Sequence, residues 1–176
     1  MGNESNRAVQ IGNICIQWSC LEYELALSIW LMLGLHDDIG KVVTASLDAK
    51  QRAAMAFTLA DKTKAPFAFR KAIKETLSEI RSDLIHRRNE AVHAVHFKPY
   101  SIDTAKVEMH RGKGGRDPRP LRDSDLAELG QLIHKAALRV AEANILYASK
   151  LSEDSEVEFE PFETALSILR KISSTK

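Results

Sequence analysis

Residues 11–35 have the sequence IGNICIQWSCLEYELALSIWLMLGL, and this stretch decides the fold class. Its apolar residues recur mostly at steps of three and four, which is the spacing of one face of an α-helix. The spacing predicts a first helix over about residues 4–33. The second half of that helix is apolar on more than one face, which indicates either central burial or contact with a partner subunit.

Helical periodicity continues along the rest of the chain. It predicts four further main helices and a short last one, at about 38–47, 49–62, 66–96, 124–151 and 161–172. Asp48 and Ser124 are good N-cap residues, and Pro66 suits a helix start because its missing N–H costs nothing there. The expected fold is all-α, a bundle of about five main helices in a single domain over residues 1–176.

Length and composition favour a globular protein of the cytoplasm. The chain has 176 residues, 44% of them hydrophobic, which is enough for a core without metals or disulfides. No apolar run approaches the ~20 residues that cross a bilayer, and no secretory signal is visible, so we expect no membrane contact. Cys15 and Cys20 lie five apart, which fits neither a redox motif nor a zinc site. We expect both to be small buried residues.

Charge is distributed unevenly along the sequence. The net charge is only +1, but residues 62–122 carry 15 Lys and Arg against seven Asp and Glu, and the segments on either side are net acidic. Such asymmetry points to an anionic partner, nucleic acid being the commonest, although a solvated helix face explains it equally well.

Residues 98–122 differ in character from the helical segments around them. They contain three glycines and three prolines and show β-compatible alternation near residues 106–109, which predicts a small hairpin or loop inserted before the last long helix. As a basic arm this insert could neutralise RNA phosphates, or it could be a solvated loop. Its candidate RNA-binding residues are Arg111, Lys113, Arg116, Arg119 and Arg122. Residues 153–176 form an acidic segment followed by the short last helix.

The most informative stretch is LIHRRNEAVHAVH, residues 84–96, at the end of the long predicted helix. At about 100° per residue, the three histidines share one stripe with Asn89 and Glu90, whereas Arg88 falls beside the apolar face. The last turn favours a protonated imidazole at His93 and His96, because unpaired carbonyls and the negative end of the helix dipole lie there.

The side chains of this stretch suit chemistry on a phosphate group. Asn89 lies four residues before His93 and can orient its ring, and Arg88 supplies a planar fork that matches phosphate oxygens. Arg87 and His96 are further candidate RNA contacts. The alternatives are that His93 only caps the helix and that Arg88 is an interface arginine.

The segment Arg88-Asn89-Glu90-Ala91-Val92-His93 resembles the R-x4-H motif of the HEPN superfamily. The all-α pattern, the motif late in a long helix and the basic insert before the final long helix are similar to that superfamily too. The resemblance implies a metal-independent endoribonuclease with a composite site at a homodimer interface, of a toxin or defence type with an antitoxin or other protein partner. It implies that His93 is the general base, that Arg88 stabilises the phosphate charge and that Asn89 orients His93 or contacts the phosphate.

Two sequence features keep alternatives open. Val95 stands where several active members have tyrosine, and the superfamily includes non-catalytic RNA- or protein-binding modules. A purely structural dimer module is a third reading. Glu90 and His93 form an E-x-x-H step, but no second such step occurs in the chain, so we expect neither a metal nor another cofactor.

Overall fold

The computed structural model describes residues 2–93, 95–96, 105–108 and 120–154. They confirm the all-α bundle, with five main helices when the segment from Phe67 to His93 is counted as one. Its helical elements are α1 (Gly2–Leu33), α2 (Asp37–Thr44), α3 (Ala49–Lys62), α4 (Phe67–Glu79), a π-helical turn (Ile80–Leu84), α5 (Ile85–His93) and α6 (Asp123–Asp154). The expected last helix, 161–172, lies outside the described residues. No helix in the described part of the chain is both long enough and apolar enough to cross a bilayer.

Three short strands accompany the helices: β1 (Val95–His96), β2 (Ala105–Glu108) and β3 (Pro120–Leu121). They pair antiparallel in the order β1-β2-β3, with Val95 opposite Glu108. These strands agree with the small hairpin expected in the insert. The predicted continuation of the long helix to His96 is wrong, because Val95 and His96 pair with β2 and the helix ends at His93.

Local side-chain chemistry explains the starts of α3 and α4. Asp48 caps α3 as predicted: its side chain accepts from the Gln51 N–H at 2.8 Å, and the Gln51 side chain accepts from the Asp48 N–H at 2.9 Å. The Pro66 carbonyl accepts the Arg70 N–H at 3.0 Å, so Pro66 directly precedes α4. The two starts therefore follow from the residue types at these positions.

The start of α6 and the end of α1 follow different rules. The prediction of Ser124 as N-cap is wrong, since α6 begins at Asp123 and the Asp125 carboxylate accepts from the Arg122 N–H at 3.0 Å. At the end of α1, Gly34 has φ of 60° and the Leu35 N–H donates to the Trp30 carbonyl at 2.9 Å. This is a Schellman ending, which glycine permits without strain.

The chain divides into two compact units. Unit 1 comprises residues 1–21 and 78–137, and unit 2 comprises residues 22–77 and 138–176. The buried apolar side chains of unit 1 come from α1, the π turn, α5 and α6: Ile14, Trp18, Leu21, Ile80, Leu84, Ala91, Leu126, Leu129, Ile133, Ala136 and Ala137. At the start of both long helices, the Arg7 guanidinium lies 3.3 Å from the Asp123 carboxylate. Cys20 is exposed and Cys15 half-buried, so the expected burial of both is wrong.

Unit 2 contains the most apolar part of the chain. Every residue from Leu25 to Met32 is buried, which confirms central burial for the second half of α1. The Trp30 Nε1–H donates to Thr44 Oγ1 at 3.2 Å, and α2 approaches the indole so closely that a Cβ atom at Gly40 would lie 2.5 Å from it. Only glycine fits that position without a shift of the ring or helix.

A polar network lies beside these apolar residues in unit 2, with Ser28 and Asn144 buried and Glu24 half-buried. The Ser28 hydroxyl donates to Asn144 Oδ1 at 2.7 Å, and the Asn144 amide donates to Glu24 Oε2 at 3.0 Å. Burial raises the pKa of the Glu24 carboxyl, and the hydrogen bond from Asn144 offsets part of that rise. The network therefore gives the Glu24 carboxyl group a neutral donor, the Asn144 amide, which the Ser28 hydroxyl in turn hydrogen-bonds.

Candidate active site at the end of helix α5

The helix that carries the candidate residues is interrupted directly before them. The Ile85 N–H donates to the Ile80 carbonyl five residues back, which is the π-helical pattern. Ile80 and Leu84 are both buried and Arg81 is exposed, so one side of the turn packs against the interior of unit 1. One extra residue in a turn rotates everything after it by about 100° relative to a continuous α-helix. The π turn therefore sets the direction in which α5 presents its side chains.

Arg88 lies half-buried against α1. Its guanidinium carbon is 5.7 Å from the centroid of the Trp18 ring, within the ~6 Å at which a cation is attracted to an aromatic face. Trp18 is itself 6% exposed, so the ring is a fixed surface. The position of Arg88 beside the apolar face is the one predicted from the helical spacing.

The Asn89 side chain hydrogen-bonds the guanidinium of Arg88. The Arg88 Nη1–H donates to Asn89 Oδ1 at 3.1 Å. An indole face and an amide oxygen thus restrict the guanidinium in two directions. The predicted contact between Asn89 and the His93 ring stays a prediction, because the His93 side chain lies outside the described residues.

His93 is the last residue of α5, where the helix dipole is most negative. His96, which the sequence predicted on the same helical stripe, belongs instead to β1, and its side chain lies outside the described residues. His86, one of the three histidines of that stripe, is exposed on α5. His93 therefore lies at a helix end as predicted, whereas His96 does not belong to the helix.

The surroundings of Arg87 differ from those of Arg88. Its Nη1 group lies 3.2 Å from Asp83 Oδ2 and 3.4 Å from Glu128 Oε1, and its Nη2–H donates to the Asp125 carbonyl at 3.5 Å. Burial opposes the charged form, but the hydrogen bonds that Arg87 donates to Glu128 and Asp83, together with the charges of these carboxylates, outweigh it and raise the pKa of Arg87. Since α6 supplies two of these acceptors, Arg87 links α5 to the start of α6. An RNA phosphate at Arg87 would compete with two carboxylates.

Of the candidate RNA-binding residues in the basic insert, Arg122 lies within the described part of the chain. Arg122 is exposed immediately before α6. The other predicted RNA-binding residues of the insert lie outside the described residues: Arg111, Lys113, Arg116 and Arg119. Their role as a phosphate-binding arm stays a prediction.

Sequence reasoning missed the partners that position the two arginines. Trp18 belongs to the apolar stretch of residues 11–35, and its contact with Arg88 had one available signal, namely that both residues lie on or beside apolar helix faces. The pairing of Arg87 with Glu128 joins residues 41 apart and had no local signal.

The described contacts suit the binding of an anion better than that of a metal ion. Among residues 2–93, 95–96, 105–108 and 120–154, no group of three or more His, Cys, Asp or Glu side chains could hold a metal. A guanidinium with a fixed plane binds phosphate oxygens with its N–H edge. No protein-family model, no curated protein and no solved structure matches the chain.

Proposed function

We propose that the protein is a metal-independent endoribonuclease that uses Arg88, Asn89 and His93. The observation that carries the proposal is the fixed guanidinium of Arg88, which lies 5.7 Å from the Trp18 ring and is hydrogen-bonded to Asn89 one turn before His93. Preorganised charge at the reacting group is usually the largest contribution to catalysis. The R-x4-H resemblance supplies the reaction type.

The proposed reaction begins at a ribose 2′-hydroxyl. The His93 imidazole takes the proton of that hydroxyl, and the 2′-oxygen attacks the adjacent phosphorus. The P–O5′ bond then breaks, which leaves a 2′,3′-cyclic phosphate on one product and a 5′-hydroxyl on the other. Arg88 stabilises the charge that builds on the phosphate oxygens. Because the nucleophile is the 2′-hydroxyl, RNA is the substrate and DNA is not.

A second copy of the chain completes the proposed site. The leaving 5′-oxygen needs a proton, and the N–H of the neutral imidazole that acts as the base is too weak an acid to supply it in the same step. The partner subunit's His93, protonated at its helix end, would supply that proton. The proposal therefore includes a two-fold homodimer with the two α5 ends facing each other. A toxin or defence role, with an antitoxin or other protein partner, belongs to the same proposal and rests on the resemblance alone.

The test is cleavage of a labelled mixed RNA pool in the presence of a chelator. We expect Arg88→Ala and His93→Ala each to lower the rate by about 100-fold or more. Arg88→Lys keeps the charge but loses the fork, so it should restore only part of the rate. His86→Ala removes an exposed histidine of the same helix and serves as the matched control with an unchanged rate.

The products distinguish the proposed chemistry from its alternatives. We expect 2′,3′-cyclic phosphate ends and no cut at a 2′-deoxy position. Equal rates in wild type, Arg88→Ala and His93→Ala would contradict the proposal, as would loss of activity in chelator. RNA binding by the wild type with a steep salt dependence and no product would replace it with a non-catalytic RNA-binding module.

A further inference from the structure

Unit 2 contains an open apolar groove between α4 and α6, lined by residues within 66–75 and 139–150. Its volume is about 410 Å³, and its floor includes the rings of Phe69 and Tyr147, whose centroids are 4.8 Å apart. Leu146 lines the groove and is 66% exposed, and Phe67, next to the lining residues of α4, is 74% exposed. Large apolar side chains concentrated in one exposed place indicate a surface that binds something.

The two helices that form this groove run antiparallel, which defines its ends. Phe69 meets Tyr147 and, further along, Glu75 Oε2 lies 3.8 Å from Arg139 Nε, so α4 numbers rise as α6 numbers fall. Pro66 and Lys150 line one end. Because α6 ends at Asp154, four residues past Lys150, the chain leaves α6 at the Pro66 end of the groove.

We propose that the C-terminal segment, residues 155–176, turns back and covers this groove with the apolar face of residues 161–172. These residues lie outside the described part of the chain, and only their sequence enters here. Phe162, Leu166 and Leu169 recur at i, i+4 and i+7, the spacing of one helix face, and Pro161 suits a first helical position. The inference is independent of the ribonuclease proposal.

The lengths of the segment and the groove agree. The stretch of α6 from Arg139 to Lys150 spans about 16 Å at 1.5 Å per residue. Twelve residues of helix, 161–172, span about 18 Å. Residues 155–160 remain for the reversal, a usual length for a connection between antiparallel helices.

The charges of the segment and the groove also agree in this direction. A reversal places the acidic start of the segment, which includes Glu160 and Glu163, near Lys150. The same reversal places the basic end of the segment, Arg170 and Lys171, near the other end of the groove, where Glu142 and the ion pair of Glu75 with Arg139 lie, so that carboxylates outnumber guanidinium groups there. The opposite direction would bring the two basic residues near Lys150 and the two acidic ones near Glu142.

Tethering favours this segment over an external partner. A short linker holds the segment at an effective concentration in the millimolar range, so a separate chain would have to exceed that concentration or bind more tightly. We therefore assign the groove to the protein's own C-terminus rather than to a second copy.

The test is cross-linking within the full chain. In a background of Cys15→Ser and Cys20→Ser, Leu146→Cys is combined either with Leu166→Cys or, as the matched control, with Thr164→Cys. Thr164 lies two residues away from Leu166 on the opposite helix face, so both pairs have the same tether. We expect intramolecular disulfide in the Leu166→Cys pair about fivefold or more above the control. Equal yields, no disulfide, or disulfide between chains would each overturn the proposal.

A second measurement needs no new thiol. Hydroxyl-radical labelling of Leu146 and Phe67 reports whether the groove is covered. We expect Leu166→Asp to raise this labelling several-fold in the full chain, because a charge would be buried, and Thr164→Asp to leave it unchanged. Wild-type labelling as high as that of Leu166→Asp would overturn the proposal.

Discussion

In unit 1 the guanidinium groups of Arg87 and Arg88 lie against carboxylates and an indole ring, whereas in unit 2 the carboxyl group of Glu24 accepts a hydrogen bond from the neutral amide of Asn144. An arginine keeps its charge at every physiological pH, and its surroundings decide only where the charged group lies. The protonation of a partly buried carboxyl group changes with its surroundings. The comparison teaches that the charge of these two arginines is permanent and held in place, whereas the charge of Glu24 depends on pH.

The largest effect on stability is expected when the Trp18 ring that supports Arg88 is removed. Trp18→Ala should lower the free energy of unfolding by about 3–5 kcal/mol, because it leaves a cavity in the core of unit 1. Trp18→Phe keeps an aromatic face and should cost much less. Urea unfolding of the two variants measures the difference.

A double-mutant cycle separates packing from the attraction between ring and charge. Combining Trp18→Leu with Arg88→Met should give a coupling free energy of about 0.5–2 kcal/mol. A coupling of zero would mean that the ring and the guanidinium are neighbours without a stabilising interaction.

A smaller effect is expected when the carboxylate-bound arginine is removed. Arg87→Ala should lower the free energy of unfolding by about 1 kcal/mol at low salt, since Asp83 and Glu128 are about half exposed and water screens them. The loss should shrink at high salt, where exposed ion pairs weaken. Arg81→Ala, at an exposed position of the π turn, is the control and should change stability by less than about 0.5 kcal/mol. A salt-independent loss for Arg87→Ala would contradict this account.

The smallest effect concerns Glu24 and depends on pH. Because its pKa is raised in the folded state, the folded protein binds that proton more tightly than the unfolded chain does. Stability therefore falls as pH rises from the unfolded pKa through the folded one, and above that window the carboxylate costs stability. Glu24→Gln cannot ionise, so its stability relative to wild type should be higher at about pH 7 than at about pH 4. An advantage that is constant with pH would contradict the raised pKa.

Much of the helical architecture could be predicted because it depends on neighbouring residues. The spacing of apolar residues at steps of three and four predicted α1. The hydrogen bonds between Asp48 and Gln51 determine where α3 begins. The placement of Arg88 beside an apolar face followed from the same helical geometry. These features need no knowledge of residues distant in sequence.

The parts that sequence reasoning missed depend on distant partners. Val95 and His96 leave the helix because β2 pairs with them, a contact between segments about a dozen residues apart. The network of Glu24 and Asn144 joins residues 120 apart. Nothing in the spacing near Asn144 marks it as the partner of a buried carboxyl group.

Because of the five-residue π turn, the direction in which α5 presents its side chains depends on the number of residues before the motif as well as on their identity. Removing one residue between Ile80 and Leu84 would leave every motif side chain intact and yet turn Arg88 about 100° away from the Trp18 ring. Two chains with the same R-x4-H letters can therefore differ in whether the arginine meets its aromatic support. In this protein the one extra residue of the π turn, upstream of the motif, determines that Arg88 points toward the Trp18 ring.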